Sequence, residues 1–296
     1  MSSQIELIKI LRDRTGAGLM DCKKALLEND SDIEKAIVWL REKGISKQEK
    51  KAGRTAAEGV AWVLTKGNKA AIIEINCETD FVANSDPFRD LVKAVNKAVL
   101  DNEPKTKEEA LECKTDSGKT IKDLFLDATI KLGEKLDFRR FAIIEKKDEE
   151  IFGPYIHMNG KIATIVILQG GDASVANGVS LNVTSCNPTY VYESEIPAEI
   201  VARETEIETE ASKNDPAFAK KPEIIKQKII EGRVRKNLCA NVLASQPYVL
   251  DETKSVGSFL KENNATIVSF VRYAVGEGIE KKQSDFAAEV ESQMKM

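Results

Sequence analysis

Residues 70–77 (AAIIEINC) and residues 162–168 (IATIVIL) carry the clearest secondary-structure signals in the sequence. Both are apolar and rich in β-branched side chains, which is typical of buried strands. A glycine-containing turn signal precedes each of them, KGNK at 66–69 and MNGK at 158–161, and a helical pattern follows each. The order of strand, turn, strand and helix therefore occurs twice, and it predicts a duplicated α+β core.

The patterns around these two stretches extend the duplication. Apolar residues alternate over 60–64, and residues 153–157 resemble the matching strand of the second copy. Apolar residues at helical spacing predict helices over 87–100 and 121–132 in the first copy. Each copy is thus expected to bury one face of a sheet under helices.

Other segments carry weaker signals. A helix is expected from near Ser174, although the polar side chains of residues 180–188 weaken that prediction. Residues 101–119 are polar and favour a loop. Further along, helical spacing over 256–263 and alternation over 266–275 predict a helix followed by a strand.

Residues 3–43 predict a small module of three short helices. Two Ser-x-x-Glu capping boxes, at Ser3 and Ser31, favour helix starts. Gly44 is interpreted as a helix stop. The polar, basic residues after it are interpreted as a linker that lets the module move, with a frayed helix as the alternative. The size of the module and its three helices resemble the ubiquitin-associated fold.

Residues 197–213 and 222–237 predict a pair of antiparallel helices. A proline lies in the first turn of each, where its missing N–H costs least. Ile200, Ile207 and Ile225 contribute to a narrow apolar seam, and charged residues cover the rest, as on a helical hairpin that projects from a protein body. A pair of surface helices without any partner explains this pattern equally well.

These patterns together predict an α+β protein made of several segments. The hairpin interrupts the core, and the chain returns to the core before a C-terminal extension in which residues 284–291 favour a short helix. In chain order, the predicted boundaries are an N-terminal three-helix module at 1–45, a basic linker at 46–55, core repeat one at 56–147, the first part of core repeat two at 148–195, the helical hairpin at 196–238, the return to the core at 239–275 and a C-terminal module at 276–296.

The composition excludes several classes of protein. The 296 residues include 44 Lys or Arg and 48 Asp or Glu, a net charge of −4, so no global field favours nucleic acid or an anionic membrane. No window approaches the ~20 apolar residues that span a bilayer, and the first residues lack the apolar core of a signal peptide. A cytoplasmic protein is therefore expected, with neither a membrane nor nucleic acid as a direct partner.

The five cysteines and the single histidine, His157, limit the chemistry. The cysteines are far apart and form no Cys-x-x-Cys pair, so neither a zinc site nor a thioredoxin-like redox site is expected. One histidine excludes metal sites and proton relays that need two imidazoles. The sequence therefore gives no reason to expect a cofactor or a metal.

Two long motifs resemble signature segments of one protein family. They are LRDRTGAGLMDCKKAL at residues 11–26 and EINCETDFVAN at residues 74–84, and both resemble the bacterial-type elongation factor Ts family. Residues 275–290, VGEGIEKKQSDFAAEV, are similar to the C-terminal module of that family. The order and spacing of the predicted segments also agree, so the resemblance covers essentially the whole chain.

The resemblance implies a function that needs no enzyme chemistry. Members of this family are guanine nucleotide exchange factors: they bind the GDP complex of elongation factor Tu, disturb its magnesium and phosphate site, and promote GDP release and GTP reloading. In that family, the residues matching Thr79, Asp80, Phe81 and Val82 form a wedge that enters the G domain of the partner. The aromatic side chain would fill an apolar slot between two partner helices.

Further residues match other contacts of the family. His157 matches a histidine that presses on the phosphate-loop side of the partner. Arg12, Met20 and Lys23 match residues through which the N-terminal module holds the G domain, whereas Cys22 is expected in the core of the module itself. The resemblance leaves open homodimer contacts through the partner complex, as well as the role of the hairpin.

The residues alone leave other interpretations open. Asp80 or Ser85 is also a suitable cap for the next helix, with Phe81 packed under that helix. Cys77, Asp80 and His157 are a conceivable thiol site of an enzyme, although a thiol in an apolar strand is usually a packing residue. A different protein-binding module is a third alternative. The last is an RNA contact through the linker lysines, which are Lys47, Lys50 and Lys51.

Overall fold

The computed structural model describes residues 4–213 and 216–280. The side chains of residues 45–50, which include Lys47 and Lys50, lie outside the described part of the chain. The N-terminal residues form the predicted three-helix module around a buried apolar cluster. Its helices are α1 (Gln4–Thr15), α2 (Leu19–Glu28) and α3 (Ile33–Lys51).

The interpretation of Gly44 as a helix stop is wrong, because α3 continues through it to Lys51. A Cβ atom added at Gly44 would lie 2.6 Å from Cδ1 of Ile130, so the glycine allows α3 to approach the helix that carries Ile130. On that same helix, Asp123 Oδ1 accepts a hydrogen bond from Arg41 Nη2 at 3.0 Å. The first residues of the predicted linker are therefore helical, and the module packs against the core.

The first repeat is a three-stranded antiparallel sheet with helices on one face. In chain order it contains β1 (Glu58–Lys66), β2 (Lys69–Cys77), α4 (Asp80–Ala83), α5 (Asp86–Asn102), α6 (Lys107–Glu112), α7 (Ile121–Leu132) and β3 (Asp137–Glu145). The strand order is β1-β2-β3. The sequence patterns do not predict β3, because Arg139 and Arg140 interrupt its apolar alternation. They also do not predict α6, which is too short to show a helical period.

The second repeat has the same connectivity but is interrupted by the hairpin. In chain order it contains β4 (Glu150–His157), β5 (Ile162–Gln169), α8 (Ala173–Cys186), α9 (Ala198–Lys213), α10 (Pro216–Ala219), α11 (Glu223–Cys239), β6 (Pro247–Tyr248), β7 (Asp251–Ser255), α12 (Val256–Glu262) and β8 (Thr266–Ala274). Strands β4, β5 and β8 form an antiparallel sheet in the order β4-β5-β8. The predicted α+β fold is confirmed, and each sheet repeats the arrangement of the other.

The two sheets pack face to face, and helices cover their outer faces. Ala61 and Ile72 of the first sheet share an apolar cluster with Ala163 and Ile165 of the second. Residues of α5 and α7 cover the first sheet, and residues of α8 and α12 cover the second. Strands β2 and β5 are therefore buried on both faces, which explains why their sequences are continuous apolar runs.

Helix α8 persists through the polar residues that weaken its sequence signal. Asn182 and Thr184 are buried within it. The Thr184 hydroxyl lies 3.0 Å from the hydroxyl of Thr164 on β5, and Asn182 Oδ1 accepts a hydrogen bond from the Val249 N–H at 2.8 Å. Because buried polar groups are tolerated when they are hydrogen-bonded, these contacts keep the helix regular as far as Cys186.

The predicted hairpin is formed by α9 and α11, but its apolar seam is incomplete: Ile196 and Ile229 are partly buried, whereas other members of the seam are not. Ile200, Ile207 and Ile225, which the pattern assigns to that seam, are exposed. Hydrogen bonds join the helices instead: Asn237 Nδ2 on α11 donates to carboxylate oxygens of Glu204 and Glu208 on α9, both at 2.8 Å. Apolar spacing alone does not distinguish a covered seam from an exposed one, because both have the same period.

A buried carboxylate joins the first repeat to the residues after β8. Glu74, in β2, is fully buried and accepts hydrogen bonds from Arg139 Nη1 at 2.9 Å and Arg140 Nε at 2.6 Å. It also accepts one from the backbone N–H of Gly276 at 2.8 Å. A buried charge is compatible with folding only when it is paired in this way. The short helix predicted over 284–291 lies outside the described residues.

Candidate protein-binding site

The segment that follows β2 forms the short helix α4, and side chains hold both of its ends. Thr79 is its N-cap residue, and Thr79 Oγ1 accepts a hydrogen bond from the Val82 N–H at 3.3 Å. At the other end, Asn84 Nδ2 donates to the carbonyl oxygen of Asp80 at 2.9 Å. A helix of one turn is marginal by itself, so these local contacts help to explain why it forms here.

Glu134 fixes the chain where it enters α4. Its Oε2 atom accepts hydrogen bonds from the N–H groups of Glu78 and Thr79, both at 3.0 Å, and its Oε1 atom accepts one from the Thr79 hydroxyl at 2.6 Å. In return, Glu78 Oε1 accepts a hydrogen bond from the Lys135 N–H at 2.6 Å. Hydrogen bonds to an ionised carboxylate are among the strongest in proteins, so the core determines where α4 projects.

Phe81 projects from α4 into solvent. Its side chain is 86% exposed, although phenylalanine is usually buried. Asp80 is exposed beside it, whereas Val82 is partly buried and Ala83 is buried against the core. The interpretation that packs Phe81 under the next helix is therefore wrong. An acid and an aromatic side chain are presented together at the end of the strand.

His157 is the last residue of β4 and is partly exposed. Its Nδ1 atom lies 3.3 Å from the hydroxyl oxygen of Tyr155, and the tautomer of the imidazole decides which atom donates. The two rings are stacked with their centroids 5.9 Å apart. Tyr155 thus limits the orientation of the imidazole.

Arg89 joins α4 to the turn between β4 and β5, here called the His157 turn (residues 157–160). Its Nη2 atom donates to Asn84 Oδ1 at 3.1 Å and to the carbonyl oxygen of Asn159 at 3.3 Å. Asn84 immediately follows α4, and Asn159 is within the turn. The wedge residues and the His157 turn therefore lie on the same side of the molecule, within reach of one guanidinium group.

Sequence reasoning misses Arg89, Glu134 and Met158. Arg89 and Glu134 act through contacts with residues far away in the chain, and no local pattern reports such contacts. Met158 carries a weak signal, since it is an apolar residue inside the predicted turn MNGK, and its side chain is 70% exposed. An apolar residue inside a turn is thus the local signal that identifies Met158.

The N-terminal candidates lie on a different part of the molecule. Arg12 is on α1, Met20 and Lys23 are on α2, and all three side chains are exposed, that of Met20 by 71%. Cys22 is buried in the core of the module, as the sequence predicts. A surface shared by these residues and Phe81 would therefore combine two structural units.

The sequence matches known proteins along nearly its whole length. A family model described as Elongation factor TS matches residues 78–277. Elongation factor Ts of Limosilactobacillus reuteri (strain DSM 20016) is 47% identical over 284 residues, which is 96% of each chain. Elongation factor Ts of Lactiplantibacillus plantarum (strain ATCC BAA-793 / NCIMB 8826 / WCFS1) is 45% identical over 288 residues, which is 97% of each chain. The chain belongs to the elongation factor Ts family.

Membership of the elongation factor Ts family confirms the resemblance carried by the motifs at 11–26 and 74–84. The chain is thus a translation elongation factor, with a role in protein biosynthesis. The family model begins at Glu78, so it includes the wedge residues and the His157 turn. The relatives extend the similarity to the N-terminal module.

In this elongation factor Ts family member, Cys77 lacks the properties of a catalytic thiol. Burial, and secondly the negative charge of Glu134, raise the pKa of Cys77 to about 12. Its Sγ atom donates to the carbonyl oxygen of Thr79 at 3.2 Å. A thiol enzyme needs a thiolate near neutral pH, so the interpretation of Cys77, Asp80 and His157 as a thiol site is wrong.

The candidate site in this member of the elongation factor Ts family consists of exposed side chains. Within residues 4–213 and 216–280, no group of three or more His, Cys, Asp or Glu side chains is placed to hold a metal ion. No helix in that part of the chain has the length and apolar character that crossing a membrane requires. What the site presents is an exposed aromatic ring, an acid next to it, and an imidazole nearby.

Proposed function

We propose that this chain is a guanine nucleotide exchange factor for elongation factor Tu, acting in the cytoplasm. It would bind the GDP complex through Thr79, Asp80, Phe81 and Val82 together with His157, disturb the magnesium and phosphate site, and promote GDP release and GTP reloading. The observation that carries the proposal is the 86% exposed Phe81 on a helix that Glu134 and local caps hold in place.

An exposed but fixed aromatic ring suits insertion into a partner. Burying a phenylalanine side chain contributes about 1.5–3 kcal/mol, and little ordering entropy opposes binding when the ring is already positioned. The hydrogen bonds of Glu134 to Glu78 and Thr79 supply that positioning. Aromatic residues are also frequent among the few that dominate interface energies.

The exposed carboxylate of Asp80 gives the wedge an electrostatic role. A guanine nucleotide is held by contacts of its phosphates to a glycine-rich loop and by Mg²⁺, which is the largest local positive charge. If insertion of the wedge moves the ion from its place, the diphosphate is left under-neutralised and its affinity falls. Asp80 is exposed next to Phe81, where it would enter the same region.

The exchange follows from linkage and needs no catalytic group in this chain. A protein that binds the nucleotide-free partner more tightly than the GDP-loaded partner lowers the affinity for GDP by the same factor. Arg12, Met20 and Lys23 would add a second contact from the N-terminal module. Once one contact has formed, the second forms intramolecularly, which raises the overall affinity. Homodimer contacts through the partner complex are tested by measuring the stoichiometry of that complex.

The test is stopped-flow release of a fluorescent GDP analogue from elongation factor Tu. We expect wild-type protein to accelerate release, and Phe81→Ala to reduce the maximal acceleration at least tenfold. Leu64→Ala is the matched control, because Leu64 is also an exposed apolar residue (36%) but lies near the opposite end of the first sheet from α4.

The outcomes distinguish the exchange function from the role of Phe81 in it. No acceleration by wild-type protein with an active partner would reject the exchange function. Acceleration that is equally strong with Phe81→Ala would keep the function but reject Phe81 as its main determinant. A loss with both Phe81→Ala and Leu64→Ala would show that the assay reports general surface changes instead.

A further inference from the structure

The His157 turn contains a methionine in a backbone conformation that side chains rarely adopt. Met158, Asn159 and Gly160 have φ angles of 45°, 56° and 94°, so three consecutive residues are in the left-handed region. Glycine and asparagine tolerate this region, whereas a long side chain is disfavoured there. A glycine at position 158 would therefore suit the backbone better than the methionine.

Met158 gains little from the fold in return for this strain. Its side chain is 70% exposed, and it belongs to none of the apolar clusters formed by the described residues. Strained residues that persist without an evident packing role are most often found at functional sites. The side chain is thus available to a partner.

The C-terminal end of the turn packs against the first repeat. A Cβ atom added at Gly160 would lie 2.7 Å from Cγ1 of Val60, so the turn approaches β1 closely. Next to it, Lys161 Nζ forms an ion pair with Glu58 Oε2 at 2.6 Å. These contacts hold Gly160 and Lys161, at the end of the turn, against the sheet that carries α4, and they do not involve Met158 or Asn159.

Arg89 fixes the same turn relative to the wedge residues. Because its Nη2 atom donates both to Asn84 Oδ1 and to the carbonyl oxygen of Asn159, these two acceptors lie within about 6 Å of each other. Asn84 follows α4 directly, and Asn159 follows Met158. Two exposed apolar side chains, Phe81 and Met158, are therefore presented from neighbouring, mutually bonded segments.

We propose that Met158 is a second apolar anchor of the surface that carries Phe81, and that Arg89 is the positioning residue that keeps the two anchors in register. The partner is a folded guanine-nucleotide-binding protein with an apolar depression beside the slot for Phe81, so the inference rests on the proposed function. A thioether suits such a depression, because methionine is flexible and polarisable and adapts to irregular apolar surfaces.

The decisive variant is Met158→Gly, because it removes the side chain and relieves the backbone at the same position. We expect the midpoint of thermal unfolding to stay the same or rise. In the GDP-release assay, we expect the concentration for half-maximal acceleration to rise about tenfold, with little change in the maximal rate. A purely structural residue would not weaken binding while the fold becomes equally or more stable.

Val268→Ala is the matched control for loss of an exposed apolar side chain. Val268 is 46% exposed on β8, but it lies six residues from Ala274, which pairs with Ile162 next to the turn. At the spacing of a strand, this is about 20 Å from the proposed surface. We expect Val268→Ala to leave half-maximal concentration and maximal rate unchanged.

A double-mutant cycle tests the role of Arg89. In an Arg89→Ala background, the turn and the wedge are no longer bonded to each other, so Met158→Gly should then weaken binding by less than about twofold. Arg89→Lys should restore part of the difference, because an ammonium group also donates to carbonyl oxygens. An equal effect of Met158→Gly in both backgrounds would reject Arg89 as the positioning residue.

The result that overturns the anchor is a stable Met158→Gly protein whose half-maximal concentration equals that of wild type. A lowered unfolding midpoint for Met158→Gly would also overturn it, since the methionine would then serve the fold. In both cases, acceleration by wild-type protein would leave the proposed exchange function intact. A wild-type protein that does not accelerate release would reject the exchange function, and this inference with it.

Discussion

The two core repeats have the same sheet topology but differ at the end of the central strand. In the first repeat, β2 leads through Glu78 and Thr79 to α4 with its exposed Phe81. In the second repeat, β5 leads to Gly170 and Gly171, and α8 begins almost at once. A Cβ atom at Gly170 would lie 2.2 Å from the carbonyl oxygen of Asn264, so the chain there packs closely against the body.

This difference shows that the fold does not require an exposed side chain at the end of the central strand. The second repeat passes from its central strand to a covering helix without a projecting side chain, so the exposed ring of Phe81 is not a requirement of the topology. The first repeat nevertheless uses Glu134 to hold its projecting segment in place. The comparison therefore supports a role in recognition for α4, and it can be tested residue by residue.

The largest difference that we expect is between the alkylation rates of two thiols, one in each repeat. Cys77 is buried at the end of β2, whereas Cys186 is exposed at the end of α8. With a pKa of about 12, Cys77 is almost wholly protonated at pH 8, where an ordinary thiol of pKa about 8.5 is partly ionised. Burial also raises the pKa of the Cys186 thiol, although that residue is exposed, so we expect alkylation of Cys77 to be roughly a hundredfold slower than that of Cys186, as followed by peptide mass spectrometry.

The same shift gives a pH dependence of stability. Between about pH 8.5 and the pKa of about 12 in the folded protein, the thiol of Cys77 ionises only in the unfolded chain, so the free energy of unfolding falls as the pH rises. A Cys77→Ser protein unfolded in parallel controls for other groups. Rapid alkylation of Cys77 at neutral pH would restore the thiol-enzyme interpretation and contradict the expected difference between Cys77 and Cys186.

The second prediction contrasts two phenylalanines of the first repeat. Phe88 is a residue of α5 and is fully buried in the core, whereas Phe81, seven residues earlier, is exposed. Phe88→Ala should lower the free energy of unfolding by about 3–5 kcal/mol, because it removes packing and leaves a cavity. Phe81→Ala should change it by less than about 0.5 kcal/mol. Urea unfolding of both variants measures the difference, and equal losses would mean that Phe81 serves the fold.

The smallest effect that we expect comes from loosening α4, which has no counterpart in the second repeat. Glu134→Gln places an NH₂ group where one carboxylate oxygen accepts, so the N–H groups of Glu78 and Thr79 or the Thr79 hydroxyl lose an acceptor. We expect a loss of about 1–2 kcal/mol in the free energy of unfolding and a several-fold weaker acceleration of GDP release.

Glu103→Gln is the matched control for Glu134→Gln. Glu103 pairs with Lys69 on the surface, at 2.6 Å, and surface pairs contribute little to stability. We therefore expect Glu103→Gln to leave exchange unchanged and to cost less stability than Glu134→Gln. If the two variants behave alike, Glu134 does not position α4.

The sequence predicts those parts of the fold whose signals are local. The runs at 70–77 and 162–168 are continuous and apolar because β2 and β5 are buried on both faces, so their strand character and the duplication are visible. The length of α3 is not predicted, because the effect of Gly44 depends on Ile130, which is far away in the chain. Strand β3 is missed because its arginines pair with Glu74 on a neighbouring strand.

The candidate site is predictable only in part, and for a physical reason. From the residues alone, burial is the default for a phenylalanine, so the exposure of Phe81 follows from the family motif and not from its pattern. The supporting contacts of Arg89 and Glu134 bridge residues 70 and 55 positions apart, respectively. No periodicity reports such pairs, whereas the three-dimensional arrangement shows them directly.

The hydrogen bond between Glu74 and Gly276 also sets an order of events while the chain is being made. The two residues are 202 positions apart, so Glu74 leaves the ribosome long before Gly276 has been synthesised. At about 5–20 residues per second, this interval is about 10–40 s. Arg139 and Arg140 are synthesised 65 and 66 residues after Glu74, and from then on they can neutralise its carboxylate. The last hydrogen bond of this buried carboxylate therefore forms only after β8, the last strand of the second repeat, has been synthesised.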